Sequence, residues 1–355
     1  MPGAPAWVGQ KYITNDGKTR IYCHFETGRL EPYLGLGIDG TVEVDWGDDS
    51  STDTLTGTSL TAVTTAQHVY SNAGDYIITL TVSNGKFEFF GVSNTAHILK
   101  KSADTAQYIS RVYSSAVQRV EMGANVNIGD YAFYNCYSLA SITIPDGVTN
   151  IGSNAFNNCY SLASITIPDS VTSISSYAFN NCYSLASITI PNGVTSISAY
   201  AFYSCFSLAS ITIPNGVTSI STYAFYSCYS LASITIPDSV TNIGGSAFYN
   251  CCSLASIMIS DGVTSISSYV FYNCFSLASI TIPDSVTSIG GSVFYNCYGL
   301  GEIHFLPTTP PTVSFSNAFT KVQTDCKIYV PAGSLAAYTR ATNYPNSSTY
   351  TYIEE

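Results

Sequence analysis

Charge is what this sequence has least of. Only 10% of its 355 residues are Asp, Glu, Lys or Arg, where an average globular chain carries roughly a quarter. The scarcity is uneven. All twelve Lys and Arg lie at or before Arg119 or at or after Lys321. The 201 residues between hold none, against eight acidic residues from Glu121 to Glu302. A phosphate backbone is held by cations that displace its counterions, so this stretch excludes nucleic acid and anionic lipid as partners. Long apolar runs are missing too. No segment approaches the ~20 unbroken apolar residues of a membrane-spanning helix. The opening MPGAPAW lacks the charged and then apolar regions of a secretion signal, yet the polar, weakly charged composition is that of an exported chain.

Catalytic equipment is equally sparse. Four His (His24, His68, His97 and His304) are scattered along the chain. Nothing resembles a nucleophile elbow, a zincin helix or a phosphate loop. Asp45, Asp48 and Asp49 lie close enough to raise a Ca²⁺ site or a carboxylate pair, but their turn placement reads as a solvated loop. The expectation is a non-enzymatic chain with no cofactor and no metal.

What the sequence has in abundance is repetition. CYSLASITIPDSVTSISSYAFNN begins at Cys159, and close copies begin at Cys136, Cys182, Cys205, Cys228, Cys251 and Cys274, with an eighth fading after Cys297. A fixed period of 20 to 50 residues signals a solenoid or array. In one copy the apolar positions are Leu162, Ile165, Ile167, Val171, Ile174, Ala178, Phe179 and Cys182. Ile165-Thr166-Ile167 alternates, so it predicts a short strand, which Pro168 ends because it cannot donate. Asp169-Ser170 is turn chemistry. Ala178, Phe179 and Cys182 fall three to four apart, the spacing of a short helix. One coil cannot stand alone: ordering costs about 1–2 kcal/mol per residue, and a large apolar side chain returns only about 1.5–3 when fully buried. Stacking roofs each coil with its neighbour, and the strands then pair into one parallel sheet.

Eleven Cys invite a disulfide or zinc reading. Seven equal intervals of 23 residues from Cys136 to Cys297 instead predict a straight ladder, one thiol per coil. Thiols about 4.8 Å apart and parallel do not meet disulfide geometry, and a line does not converge on a metal. They are expected to be reduced and buried, as small hydrophobes.

The pattern Leu-x-x-Ile-x-Ile resembles the leucine-rich repeat, with Gly147, Ser170 and Gly193 where that repeat usually has Asn or Cys. LASITIPDSVTSISSYAFNNC is more similar still to the BspA-like leucine-rich repeat of bacterial surface proteins, over residues 139 to 299. VQRVEMGANVNIGDYAFYNC reads as a degenerate first coil. Asn317–Phe319 and Lys327–Pro331 read as a last coil broken by LPTTPPT, and AGSLAAYTRAT as a helical cap. In the N-terminal third, KTRIYCHFE, TVEVDWGDDSS and DYIITLTVSNG are strand candidates of a small β-sandwich. VDWGDD at Val44–Asp49 and HVYSNAGDYIITLTV at His68–Val82 resemble the PKD-type immunoglobulin-like domain, with Asp49 where Gly is usual. That resemblance implies a structural hydrogen bond for His68. The expected organisation is therefore mainly β: a tail (1–17), a PKD-like sandwich (18–105), a leucine-rich repeat solenoid (106–306, regular from 136) with one parallel sheet and short helices or 3-10 turns opposite, and a degenerate coil and cap (307–355).

Two ladders qualify for binding. Thr143, Thr166, Thr189, Thr212, Thr235, Met258, Thr281 and His304 point outward from the strand, flanked by Ser at the position two before and by Glu302. After each Cys stand Tyr137, Tyr160, Tyr183, Phe206, Tyr229, Phe275 and Tyr298, and further Tyr follow the buried Phe at 134, 203, 226, 249, 272 and 295. Tyr gives large contact area at low rotamer cost, although stacking across coils alone would also account for both ladders. The resemblance implies an extracellular or bacterial cell-surface location and adhesion to proteins by a monomer. Two alternatives remain at this point: a carbohydrate-binding accessory of a glycan-degrading system, with Tyr stacking on sugar rings, and a passive spacer.

Overall fold

A computed structural model describes residues 16–28, 30–92, 95–96, 98–99 and 115–355. The tail, His97 and the expected boundary at 105/106 lie wholly or mostly outside these residues. The chain forms two units, Met1–Ser170 and Val171–Glu355.

The first unit opens with four antiparallel strands: β1 (Thr19–Phe25), β2 (Tyr33–Asp45), β3 (Asp53–Gln67) and β4 (Gly74–Phe89). Their pairing gives the order β3-β2-β4-β1. Along β2 the alternation of TVEVDW places Val42, Val44 and Trp46 inside and leaves Glu43 and Asp45 out. Where β2 crosses β4, Gly40 pairs with Gly85, at φ 131° and 77°. A Cβ on Gly85 would lie 1.9 Å from the Asp39 carbonyl oxygen, so only glycine admits this approach.

These strands do not stop at the domain edge. β1 pairs antiparallel with Val117–Glu121, which pairs parallel with Ser141–Thr143 of the first regular coil. The end of β4, Phe87–Phe89, pairs parallel with Val126–Ile128, and Ile128 in turn pairs with Ile151. The N-terminal strands thus supply the covering layer that the open end of a coil stack needs.

In the second unit, Ser187–Thr189, Ser210–Thr212, Ser233–Thr235, Ser256–Met258, Ser279–Ile282, Glu302–Phe305, Lys327–Val330 and Thr351–Glu354 pair in that order. The pairing is parallel and in register, one strand per coil until the cap. The expectation of a single parallel sheet is incomplete. A second short strand in each coil builds further parallel ladders, through Ser196–Ile197, Ser219–Ile220 and Asn242–Ile243, and through Ser265–Ile266, Ser288–Ile289 and Thr312–Val313. Its two-residue length hid it from the alternation pattern.

The segment expected as a short helix or 3-10 turn is a chain of separate tight turns. Ala201, Tyr203 and Cys205 close turns onto Ser198, Tyr200 and Phe202, while the intervening Tyr200, Phe202 and Ser204 donate to carbonyls of the next coil at 3.3, 2.9 and 2.7 Å. Tyr200 and Ser204 have φ of 59° and 56°. A helix uses every amide within its own segment. Here alternate amides are committed to the neighbour, and left-handed residues turn the chain to allow it.

The core follows the repeat. Leu208, Phe202, Phe225, Phe248 and Val217 are fully buried and the strand Ile residues nearly so. Phe225 stacks between Phe202 and Phe248, both at 5.5 Å. None of the eleven cysteines is in a disulfide, and all but Cys252 are buried. Cys205, Cys228 and Cys251 each donate to the carbonyl of the preceding coil's Phe at 3.2 Å. The expected α-helical cap is shorter than the sequence suggested, only α1 (Leu335–Tyr338). Buried Tyr338 anchors it, donating to the Pro307 carbonyl at 2.7 Å, while Tyr344 packs on Phe305 and Phe319.

Candidate binding surface

The strand face carries the hydroxyl row where it was expected. Thr143 bridges Thr166 in the first unit. In the second, Thr189 faces Thr212, Thr235 faces Met258, Met258 faces Thr281 and Thr281 faces His304. All are exposed except His304, and Met258 stands out with 68% of its surface open. His304 closes the row by stacking on Tyr329 at 4.3 Å, with Nδ1 2.9 Å from Glu355.

The tyrosines lie on the turns, not on this strand face. Tyr137 stacks on Tyr160 at 4.8 Å in the first unit. In the second, Tyr183, Phe206 and Tyr229 stack at 4.5 and 5.0 Å. The column breaks at Cys252, and Phe275 and Tyr298 resume it at 5.8 Å. Beside it Tyr203, Tyr226, Tyr249, Tyr272 and Tyr295 stack at 4.5–4.9 Å. A third column went unrecognised in the sequence. Tyr177, Tyr200 and Tyr223 stack at 4.4 and 4.7 Å, and their edges meet the middle column at Tyr200–Tyr203 and Tyr223–Tyr226, both 5.7 Å. Its signal was the Tyr that recurs before Ala-Phe. These are the left-handed residues of the turns, whose φ lies near 60°.

Stacking decides what such columns can bind. A ring sandwiched between neighbours presents its edge and hydroxyl, and only where a column is interrupted does a face open. A pyranose needs a face, so regular stretches do not suit sugar stacking. Burial and neighbouring phenols push Tyr249 up to about 12 and raise Tyr200, Tyr203 and Tyr226 in the same direction, so these four phenols stay neutral at physiological pH. Tyr229, Phe275 and Tyr298 are 42%, 40% and 50% exposed.

The residues of the N-terminal motifs come together. Trp46 stacks on His68 at 5.0 Å, and His68 Nε2 lies 2.7 Å from Asp48. The Tyr70 hydroxyl donates to the Trp46 carbonyl at 2.8 Å. Asp48 is partly desolvated, but hydrogen bonds from Ser50 and His68 hold its carboxyl below the ordinary range. Asp45 accepts from the Gly47 amide, and Asp49 takes the left-handed turn at φ 61°. Among the described residues no group of three or more His, Cys, Asp or Glu is placed to hold a metal ion. Likewise, no helix among them is long and apolar enough to cross a membrane.

Comparison with known proteins agrees with the coil pattern. The model of the BspA type leucine rich repeat region matches in six copies, over residues 113–232 and 195–322. The chain belongs to this family. A leucine rich repeat protein of T. pallidum is 32% identical over 52% of this chain and 84% of its own, with a TM-score of 0.43. A leucine rich cell surface protein from Faecalibacterium prausnitzii A2-165 is 26% identical over 78% of this chain and 90% of its own, with a TM-score of 0.40. The pneumococcal vaccine antigen PcpA is 17% identical over 77% and 89%, with a TM-score of 0.37. No curated protein matches the chain.

Proposed function

We propose that this chain is a non-enzymatic, extracellular protein-recognition module of a bacterial surface, and that the aromatic turn face of residues 177–298 makes the contact. One observation supports this above all. Three adjoining columns of partly exposed rings are held rigid by stacking and by the hydrogen bonds between coils. Tyrosine edges and hydroxyls that are already ordered lose little entropy on docking, and no Lys or Arg from 120 to 320 offers a contact to polyanions. The kinship with a cell-surface leucine rich protein supports the location. The PKD-like resemblance of residues 44–82 fits the same setting, as a spacer or accessory to the repeats.

The test is interferometry against a panel of extracellular matrix proteins and a glycan array, with two variants. Tyr229→Ala/Phe275→Ala/Tyr298→Ala strips the turn face, and Thr189→Ala/Thr212→Ala/Thr235→Ala strips the strand face. Saturable protein binding lost in the first and kept in the second is expected. Loss only in the second moves the contact to the strand face, and silence on every protein refutes the recognition role.

A further inference from the structure

The outer row of the second-strand ladder begins inside the N-terminal sandwich. Glu88, near the end of β4, pairs with Asn127, and the pairing of Ile151 with Ile128 sets Asn150 beside Asn127 in the next strand. The flanking Phe87, Phe89, Val126, Ile128 and Ile151 are buried, so alternation puts this Glu-Asn-Asn row on the outer face. In later coils the equivalent position holds Ser196, Ser219, Asn242, Ser265 and Ser288. The carboxylate is particular to the strand of the sandwich.

The row forms part of the lining of a cleft of ≈ 430 Å³ within the first unit, a volume in the small-ligand range of roughly 300–1,000 Å³. One wall is built by a break in strand pairing. Gly37 pairs with Val63 and Ile38 with Ser59, so residues 60–62 bulge out of β3. A bulge re-aims side chains, and this one brings Leu60 and Thr61 to the cleft. The Ser59 and Thr61 hydroxyls, 3.0 Å apart, brace it. Gly129 shapes the opposite side. A Cβ there would lie 2.2 Å from Glu88 Oε1, so the glycine gives the carboxylate its place against the backbone.

The charge of the lining is of one sign. Glu88 and Asp130 line the cleft, and among the described residues no Lys, Arg or His does. Burial raises the Glu88 carboxyl and Asp130 raises it further, while Asn127, donating to it, and Lys86 act the other way. A carboxylate partly desolvated and repelled by a second one is stabilised by a cation that enters. Ammonium is a compact charge with three donors, and it suits acceptors that come from separate strands. These are the two carboxylates and the amide oxygens of Asn127 and Asn150. Guanidinium is a planar fork that matches a single carboxylate. Leu60 and Phe90 supply apolar surface for a stem. Ca²⁺ takes about six to eight oxygen ligands, and among the described residues no group of three or more His, Cys, Asp or Glu is placed to hold a metal.

We propose that this cleft binds a primary alkylammonium group, its charge held by Glu88, Asp130 and the Asn127 amide oxygen and its stem lying against Leu60 and Phe90. The site is independent of the aromatic turn face and does not require that face to bind a protein.

The test follows backbone amide shifts of the full chain by NMR during titration with n-butylammonium chloride. Saturable shifts at Gly91, Asn127 and Gly129 are expected. A parallel titration with acetyl-Gly-Lys-Gly-amide separates two sources of the group: binding as tight as butylammonium assigns a partner's lysine, and binding of butylammonium alone assigns a free amine. Glu88→Gln and Asp130→Asn each remove a charge and keep an acceptor for Asn127 and for the Ser153 amide. Each is expected to weaken butylammonium about tenfold, the loss of one charge-assisted hydrogen bond. Unchanged affinity in both variants overturns the proposal, as does no shift at all. Butanol, calcium chloride and acetyl-Gly-Arg-Gly-amide, titrated into the unaltered protein, keep the test decisive whatever the variants do. Butanol binding as tightly as butylammonium, or tighter binding of calcium or of the arginine peptide, also overturns it.

Discussion

Phe225→Ala is the perturbation that weighs the coil stack most simply. The side chain is fully buried, with ring neighbours at 5.5 Å on both sides and planes within 4° of parallel. Truncating a buried Phe costs ~3–5 kcal/mol in transfer and cavity terms. Both aromatic stacks are lost, each worth ~0.5–1.5 kcal/mol beyond area, which places the expectation at the upper end of that range. In an array where each coil contacts only its neighbours the damage is local. Urea unfolding followed by circular dichroism measures the loss, and hydrogen exchange read by mass spectrometry places it. Protection is expected to fall in the coils of Phe202 and Phe248 and to hold at Lys327–Val330. A loss below about 1 kcal/mol, against the usual cost of such a cavity, would refute the stacked core, as would protection lost evenly over the whole chain.

Further expectations follow from the thiols. Among the eleven cysteines only Cys252 escapes full burial, so an aromatic disulfide reagent at pH 8 titrates one fast thiol in the native protein and the rest only after unfolding; several fast thiols would contradict the ladder. Burial raises Cys136, Cys205, Cys228, Cys251 and Cys274, and pushes Cys297 up to about 12. Below about pH 9 these thiols are protonated both folded and unfolded. Above it only the unfolded chain releases its protons, so stability is present at low pH and is lost as pH rises from about 9 toward 12. Each thiol contributes a slope of up to ~1.4 kcal/mol per pH unit. Urea midpoints at pH 8 and 10 check it, and Cys205→Ala/Cys228→Ala/Cys251→Ala should flatten the slope; an unchanged slope refutes the assignment.

Much of the fold was legible because the repeat reports its own inside. Leu162, Ile165, Phe179 and Cys182 were picked as core by position, and all are buried. What sequence spacing does not carry is the partner of each amide. Ala178, Phe179 and Cys182 have helical spacing, yet Tyr177 and Asn181 sit at φ 60° and 58°, and the amide of Phe179 goes to Ala201 of the next coil. The second strand was hidden because Ser196–Ile197 is too short to show alternation. The continuation of β1 and β4 into the first coils was hidden because it joins residues far apart in sequence. For the surface, the Thr row and the Tyr after each Cys were readable. The column of Tyr177, Tyr200 and Tyr223 was not, since the Tyr that recurs two residues before each buried Phe does not itself report which way its ring points.

Coil stacking meets its most direct test in a deletion. Removing residues 206–228 joins Cys205 to Tyr229, one whole 23-residue period apart from its normal neighbour, and so returns every strand, turn and thiol to an equivalent neighbour. Calorimetry of that variant should show a cooperative transition close to that of the parent, whereas removing 206–215 alone should abolish it. Equal damage from the two deletions would contradict coils that roof one another.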